Sequence, residues 1–179
     1  MARRAAGSRN HPVQADLAGA LGDGTSEVEE LKNEMEEWAE SLESNSMEHL
    51  PKYDEVTEAK DALEAGLDTL QGIEVPEFLE SIDASYTQDT RRKAQSRSYR
   101  LGNATNAIEA AKDAANSWLE ENDELELMSD ADAIEDGAEE VTQEMVDERR
   151  SQRDDAEQFA SEVENALGEL ENVSFPSMY

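Results

Sequence analysis

Apolar residues recur along this chain at the spacing of helix faces. Val28, Leu31, Met35, Trp38 and Leu42 advance by alternating steps of 3 and 4, which places them on one stripe of a helix. Ser26 with Glu29 three residues on predicts a capping box at its start, with Gly22 and Gly24 just before it. A second stripe runs Val56, Ala59, Leu63, Leu67, Leu70. A third runs Leu101, Ala104, Ile108, Ala111, Ala115, Trp118, a seam of unusually small residues. A fourth runs Ile134, Ala138, Val141, Met145 and resumes at Ala156, Phe159, Val163, Leu167, Leu170. Breaks are expected at Pro51, Gly72–Pro76, Asp83–Asp89 and Asn122–Ser129. No alternating apolar run of five residues occurs, and Ala, Glu and Leu dominate, so strands are not expected.

The pattern also repeats. At an offset of 80, Val28, Leu31, Met35 and Trp38 fall on Ile108, Ala111, Ala115 and Trp118. At an offset of 100, Leu63, Leu67, Leu70, Val75 and Pro76 fall on Val163, Leu167, Leu170, Phe175 and Pro176. The expected fold is therefore all-α: an elongated helical bundle of two duplicated antiparallel helix pairs, the second longer by about 30 Å of extra helix, if the added residues rise 1.5 Å each. Its divisions are a basic arm and lead-in (1–23), a first helix pair (24–82), a second, longer pair (83–172) and an apolar tail (173–179). Folding the first pair about residues 48–49 sets Trp38 by Ala59 and Met35 by Leu63, large against small at the Trp. Folding the second about 125 sets Ala111 near Val141, and Arg97 and Arg100 beside Ser151, Asp154 and Asp155. Ala156–Leu170 then overhangs the third helix and offers a surface to the first pair.

Composition argues the other way and loses. Leu, Ile, Val and Phe make up 30 of 179 residues, and 45 acids against 15 bases give a net charge of −30. Such values border on those of disordered chains, but four in-phase stripes and 24 alanines describe narrow helix seams instead. The charge is partitioned: residues 1–11 carry +3 from Arg3, Arg4 and Arg9. Residues 90–104 carry +5 and no acid, from Arg91, Arg92, Lys93, Arg97 and Arg100, and residues 149–153 carry +3 from Arg149, Arg150 and Arg153. The last two blocks are expected to pair with acidic helices of the fold or of a partner, and the N-terminal arm to be a free end that can thread onto a nucleic acid or an acidic neighbouring subunit.

Nucleic acid is not expected as the main ligand, because the field of the chain repels polyanions. Cysteine is absent, which removes disulfides and thiolate chemistry. No run of 18 apolar residues predicts a membrane span, and no apolar stretch follows Met1–Pro12 to make a leader. Asp130–Gly137 has the wrong glycine position and a Val where a calcium loop needs Glu; it reads as a helix start capped by Ser129. His11 and His49 are the only histidines, and neither sits in a hydrolase or di-iron motif. No catalytic residue, metal, cofactor or small-molecule substrate is expected, and Trp38 and Trp118 read as core. Phe175, Met178 and Tyr179 make the tail apolar, for closing the bundle or for docking a partner.

Three stretches, EMEEWAESL with KYDEVTEAKDAL (34–42 and 52–63), VPEFLESI (75–82) and SRSYRLGNATNAIEAAKDAA (96–115), resemble a loose group of small acidic, helical proteins encoded by phages and other mobile elements. The resemblance spans roughly residues 26–120. Asn103 and Ala104 open an Ala-rich helix after a basic Ser/Arg segment, as in that group, although Tyr99-Arg100-Leu101-Gly102 departs from its more Arg-rich, acid-containing form. The resemblance implies a viral setting, in a virion or a host cytoplasm, and no functional residues. The expectation is a non-catalytic interaction protein whose partners are virion subunits or a second copy of itself. Alternatives are an acidic DNA mimic that inhibits a host DNA-binding protein or nuclease, carried by the acidic faces of 27–64 and 109–148, and a protein whose acidity is adaptation to a high-salt host.

Overall fold

A computed structural model describes residues 10–89, 96–122 and 143–176 of the 179. Within them the elements are β1 (Asn10–Val13), α1 (Leu17–Ser44), α2 (Pro51–Gly72), β2 (Tyr86–Asp89), α3 (Arg97–Glu121) and α4 (Gln143–Leu170). The four helices pack as a bundle in which α1 touches α2 and α3, and α4 touches α2 and α3. The all-α expectation holds, with one small addition. β1 and β2 form an antiparallel ribbon that pairs Asn10 with Asp89 and Val13 with Tyr86 and that packs on α3. Strands of four residues are too short to print an alternating pattern, which is why the sequence conceals them.

The repeat organises the packing. α1 and α3 begin 80 residues apart, after Asp16 and Ser96. Helices α2 and α4 carry equivalent closing hydrogen bonds 100 residues apart: Ile73 N–H to Leu70 O at 3.3 Å, and Val173 N–H to Leu170 O at 3.2 Å. The helices then pack on their own counterparts, α1 on α3 and α2 on α4, while β1 ahead of α1 pairs with β2 ahead of α3. Thr69 Oγ1 donates to Glu169 Oε2 at 2.6 Å, a contact between two positions that are equivalent in the repeat. The twenty residues by which the second copy exceeds the first fall between the paired stretches, within 123–150, of which 123–142 lie outside the described residues, and with them Ser129, Asp130–Gly137 and the stripe from Ile134 to Val141.

Two features of the expected fold are corrected. Helix α1 starts at Leu17, not at Ser26, with the Asp16 carboxylate accepting from Gly19 N–H at 2.8 Å. Gly24 is therefore a packing glycine inside a helix, not a break. A Cβ there would lie 2.4 Å from Ile108 Cγ1 and 2.8 Å from the Ala104 carbonyl oxygen, so α1 and α3 can cross this closely only without a side chain. The second hairpin also has another register. Arg153 Nη1 donates to the Asn122 carbonyl at 2.9 Å, putting the midpoint of facing residues near about 138 instead of 125. Residues 156–170 thus pack along α3 and α2 instead of overhanging them. This is the register the repeat demands, since 156–170 are the counterparts of 56–70 in α2.

The core runs through both hairpins. Val28, Leu31, Met35, Leu63, Ile108, Phe159 and Val163 are at most 1% exposed and belong to one cluster. Phe78 and Leu79, in the crossing from α2 to β2, extend it to the end of α3, where the Phe78 ring lies 4.8 Å from that of Trp118. Trp38 and Trp118 are half-buried against it, and so is Phe175 of the tail. The ribbon is fixed by Tyr86 Oη donating to Asp23 Oδ2 at 2.9 Å, and by Asn103, which accepts from Asp89 N–H at 3.0 Å and donates to Asp89 O at 3.2 Å. Such anchors are needed, because a two-stranded hairpin alone is marginal in water.

Two glycine substitutions in α1 are expected to move stability in opposite directions. Gly24→Ala should cost about 1–3 kcal/mol by overpacking against α3. Gly22→Ala, where a Cβ meets open space, should gain roughly 0.5–1 kcal/mol from helix propensity. Denaturant unfolding of both variants reads the difference. A second expectation concerns alkali. Burial, then the hydrogen bond to Asp23, push the Tyr86 phenol up to about 12. A raised folded-state value stabilises fully below the unfolded value near 10, and that contribution is lost as pH climbs through about 12. Tyr86→Phe should therefore unfold with less pH dependence than the parent between pH 10 and pH 12.

Candidate interaction surfaces

Arg97 and Arg100 enter the bundle at the first turn of α3, and their partners lie on α1. Arg100 reaches three glutamates at successive turns: Glu27 through Nε, Glu34 through Nη1, and Glu30 through Nη2 at 3.1 Å. Arg97 Nε lies 3.0 Å from Glu34 Oε2, and its guanidinium sits 5.0 Å over the Trp38 ring. The expected partners Asp154 and Asp155 are ruled out by the register of the second hairpin. Burial alone would raise the Glu34 carboxyl, but hydrogen bonds from Arg100 and then Arg97 outweigh it and hold it below the ordinary glutamate value.

The repeat gives this cluster a control inside the same molecule. The counterparts of Arg97 and Arg100 are Leu17 and Ala20; those of Glu27, Glu30 and Glu34 are Ala107, Ala110 and Ala114; that of Trp38 is Trp118. The α1–α3 contact is thus ionic in one half and apolar in the other, where Leu17, Ala20, Ala107 and Ala114 are buried. Cation and carboxylates change together, and the tryptophan stays. The sequence contained the signal, glutamates at 27, 30 and 34 matching arginines at 97 and 100, but it becomes readable only when the repeat is folded on itself.

The remaining cations named from the sequence divide in two. Arg153 pairs with Glu157 at 3.2 Å along α4 as well as with Asn122, and Arg150 lies 4.0 Å from Asp147, both local contacts on an acidic helix. Arg149 also has a partner. Arg3, Arg4, Arg9, Arg91, Arg92, Lys93, Met178 and Tyr179 lie outside the described residues.

A groove of about 540 Å³ runs between the outer faces of α3 and α4. Leu101, Leu167, Leu170 and Val173 form its floor, and Glu109, Glu164 and Glu171 its rim with Lys112. Gly102 and Gly168 also line it, and a Cβ at either would meet open space. Among the described residues no group of three or more acids or histidines is placed to hold a metal ion, and no helix is long and apolar enough to cross a membrane.

Comparisons with protein families, curated proteins and solved structures find no match. The internal repeat is therefore the one pair of related sequences, and it is informative about the groove. Residues 17–42 and 97–122 share seven identities, and 51–76 and 151–176 share five. Eight of those twelve line the groove: Leu101, Gly102, Thr105, Glu109 and Lys112 on α3, with Glu164, Leu167 and Leu170 on α4. The core has drifted instead. Leu31 has become Ala111, Met35 Ala115, Ala59 Phe159 and Leu63 Val163, all of them buried. Of the eight shared groove residues, Leu101 and Leu170 are also buried in the core, and the other six are exposed or half-buried.

Replacing Arg100 by Met should cost roughly 1–2 kcal/mol at neutral pH, between the values for exposed and buried pairs. The deficit should shrink in acid, because the parent loses its Glu34 contribution as pH falls through that lowered value. Converting the whole ionic half to its apolar counterpart, with Arg97→Leu, Arg100→Ala, Glu27→Ala, Glu30→Ala and Glu34→Ala together, should restore parental stability or exceed it. Unfolding free energies at pH 7 and at pH 3 decide both points.

Proposed function

We propose that this chain is a non-catalytic helical interaction protein of a phage or related virus, acting as a virion or assembly component through protein–protein contacts, in the particle or the host cytoplasm. The observation that carries the reading is the groove: eight of its twelve residues, exposed ones included, are kept across the repeat, while Leu31, Met35, Ala59 and Leu63 of the core are not. Packing does not ask for Gly22 and Gly102, which face open space inside helices at a propensity cost of about 1 kcal/mol each, nor for the exposed Glu29, Glu64, Glu109 and Glu164. A surface maintained on those terms is maintained for contact. Scattered, outward-facing carboxylates are what a binding module presents, so no enzymatic activity is assigned. The viral setting rests on the resemblance of residues 26–120.

A DNA mimic is the second reading. The ion-pair cluster favours it, because Arg97 and Arg100 are drawn inward onto Glu27, Glu30 and Glu34 and leave the acidic faces of α1 and α2 with less opposing charge. Such a mimic would displace duplex DNA from a basic groove with an affinity that falls steeply as salt rises.

The chain is expected at stoichiometric abundance in purified particles by quantitative mass spectrometry; intact particles without it sink the assembly role. Salt-sensitive displacement of DNA from a nuclease or repressor by the chain would move the assignment to the mimic.

A further inference from the structure

The residues kept in the groove between α3 and α4 answer, across the repeat, to Leu21, Gly22, Thr25, Glu29 and Lys32 on α1 and to Glu64, Leu67 and Leu70 on α2, where the three leucines are buried. Exposure follows suit. Gly22 and Gly102, Glu29 and Glu109, and Glu64 and Glu164 are all exposed, and Thr25 and Thr105 are both half-buried. One chain therefore presents two stripes of the same chemistry: a leucine floor, an acidic rim and a helical glycine whose missing side chain leaves room for another backbone. Such a surface suits a segment that is small in its side chains, basic, and free of carboxylates.

Two runs of the chain are basic and free of carboxylates, 1–9 and 90–104, and the first is the richer in small side chains. Met1–Arg9 reads MARRAAGSR, with three arginines, three alanines, a glycine and no acid. It joins β1 at Asn10, which pairs with Asp89, itself hydrogen-bonded to Asn103, the neighbour of Gly102 on α3. Nine residues extend to at most about 30 Å, enough to follow the roughly 21 Å of helix from Ser98 to Lys112. A single arm cannot occupy two like stripes within one molecule. We propose that these stripes are docking sites for the basic arm of a second copy of this chain, so that copies link arm to groove. The inference rests on the assembly reading above and gives it a partner.

The absence of cysteine makes the test direct. Ala5→Cys chains mixed with Gly168→Cys chains and oxidised should yield a disulfide between the two species. Sedimentation of the full-length protein should show concentration-dependent association that weakens at least tenfold on deleting residues 1–9. The Gly22→Leu/Gly102→Leu protein should weaken it to a similar extent, with helical content and thermal midpoint at or above those of the parent. Chains that stay monomeric at all concentrations overturn the inference, and so does association indifferent to the arm or to the two glycines. A doubly substituted Ala5→Cys/Gly168→Cys chain that closes on itself, while the mixture of single variants stays uncrosslinked, overturns the second copy as occupant. None of these failures touches the particle abundance that tests the assembly role.

Discussion

The contact between α1 and α3 is the constraint on which the rest depends. It joins the two hairpins, carries the ribbon across it, and brings Gly24 against Ile108 and the Ala104 carbonyl. A repeat of this kind could pair like with like, first hairpin on first hairpin from two molecules. Such a pair would set Glu27, Glu30 and Glu34 against Leu17 and Ala20. A pair of second hairpins would set Arg97 and Arg100 against Ala107, Ala110 and Ala114. Each mispairing leaves charges desolvated without a partner, which costs far more than a well-made ion pair returns. Only the pairing of first with second hairpin matches ionic half to ionic half and apolar half to apolar half. The cluster thus contributes through what it forbids more than through the energy of its salt bridges.

The same contact explains how a chain of −30 stays compact. Along α1 there are nine acids and one lysine, whereas α3 carries four acids and three bases. The helix placed against the acidic α1 is therefore the nearly neutral one, and two of its three cations, Arg97 and Arg100, are gathered at the turn that meets Glu27–Glu34. Where α2 and α4 meet, both acidic, the contact is made by Leu170 over Gly66 and by the Thr69 hydroxyl on Glu169, a neutral donor that accommodates a carboxylate without adding another. Elsewhere the carboxylates stay on solvent faces, where water and salt screen their repulsion.

Much of this was legible beforehand. Heptad-like stripes gave the helices, and the doubled Trp and Pro gave the repeat, because both record burial in the spacing of residues. Two kinds of information were hidden. Glycines at 22 and 24 looked like a break because sequence cannot distinguish a glycine that ends a helix from one that lets another helix approach; that depends on Ile108, 84 residues away. The partners of Arg97 and Arg100 were misplaced because the hairpin was folded at the apparent loop near 125. The repeat already fixed the register, since 156–170 had to stand to α3 as 56–70 stand to α1. The groove escaped for a different reason: its residues are ordinary types, and only their identity across two copies, set on a structure that separates surface from core, marks them.

That last separation has a physical basis worth following. Two hairpins that share a core must change in concert, since a lost methylene in one leaves a cavity that the other has to fill. Ala59 answers to Phe159 where Leu31 and Met35 answer to Ala111 and Ala115, so large and small residues exchange places between the two halves. Core positions are therefore free to diverge in compensated sets, while total volume is kept. Exposed positions obey no such bookkeeping, and a solvent-facing glycine or glutamate can change alone with little effect on stability. When a repeat keeps its exposed glycines and glutamates and lets its core drift, packing is the wrong explanation for what was kept. The retained constraint has to act from outside the fold, on both hairpins alike, which is what a partner that meets each of them in the same way would impose.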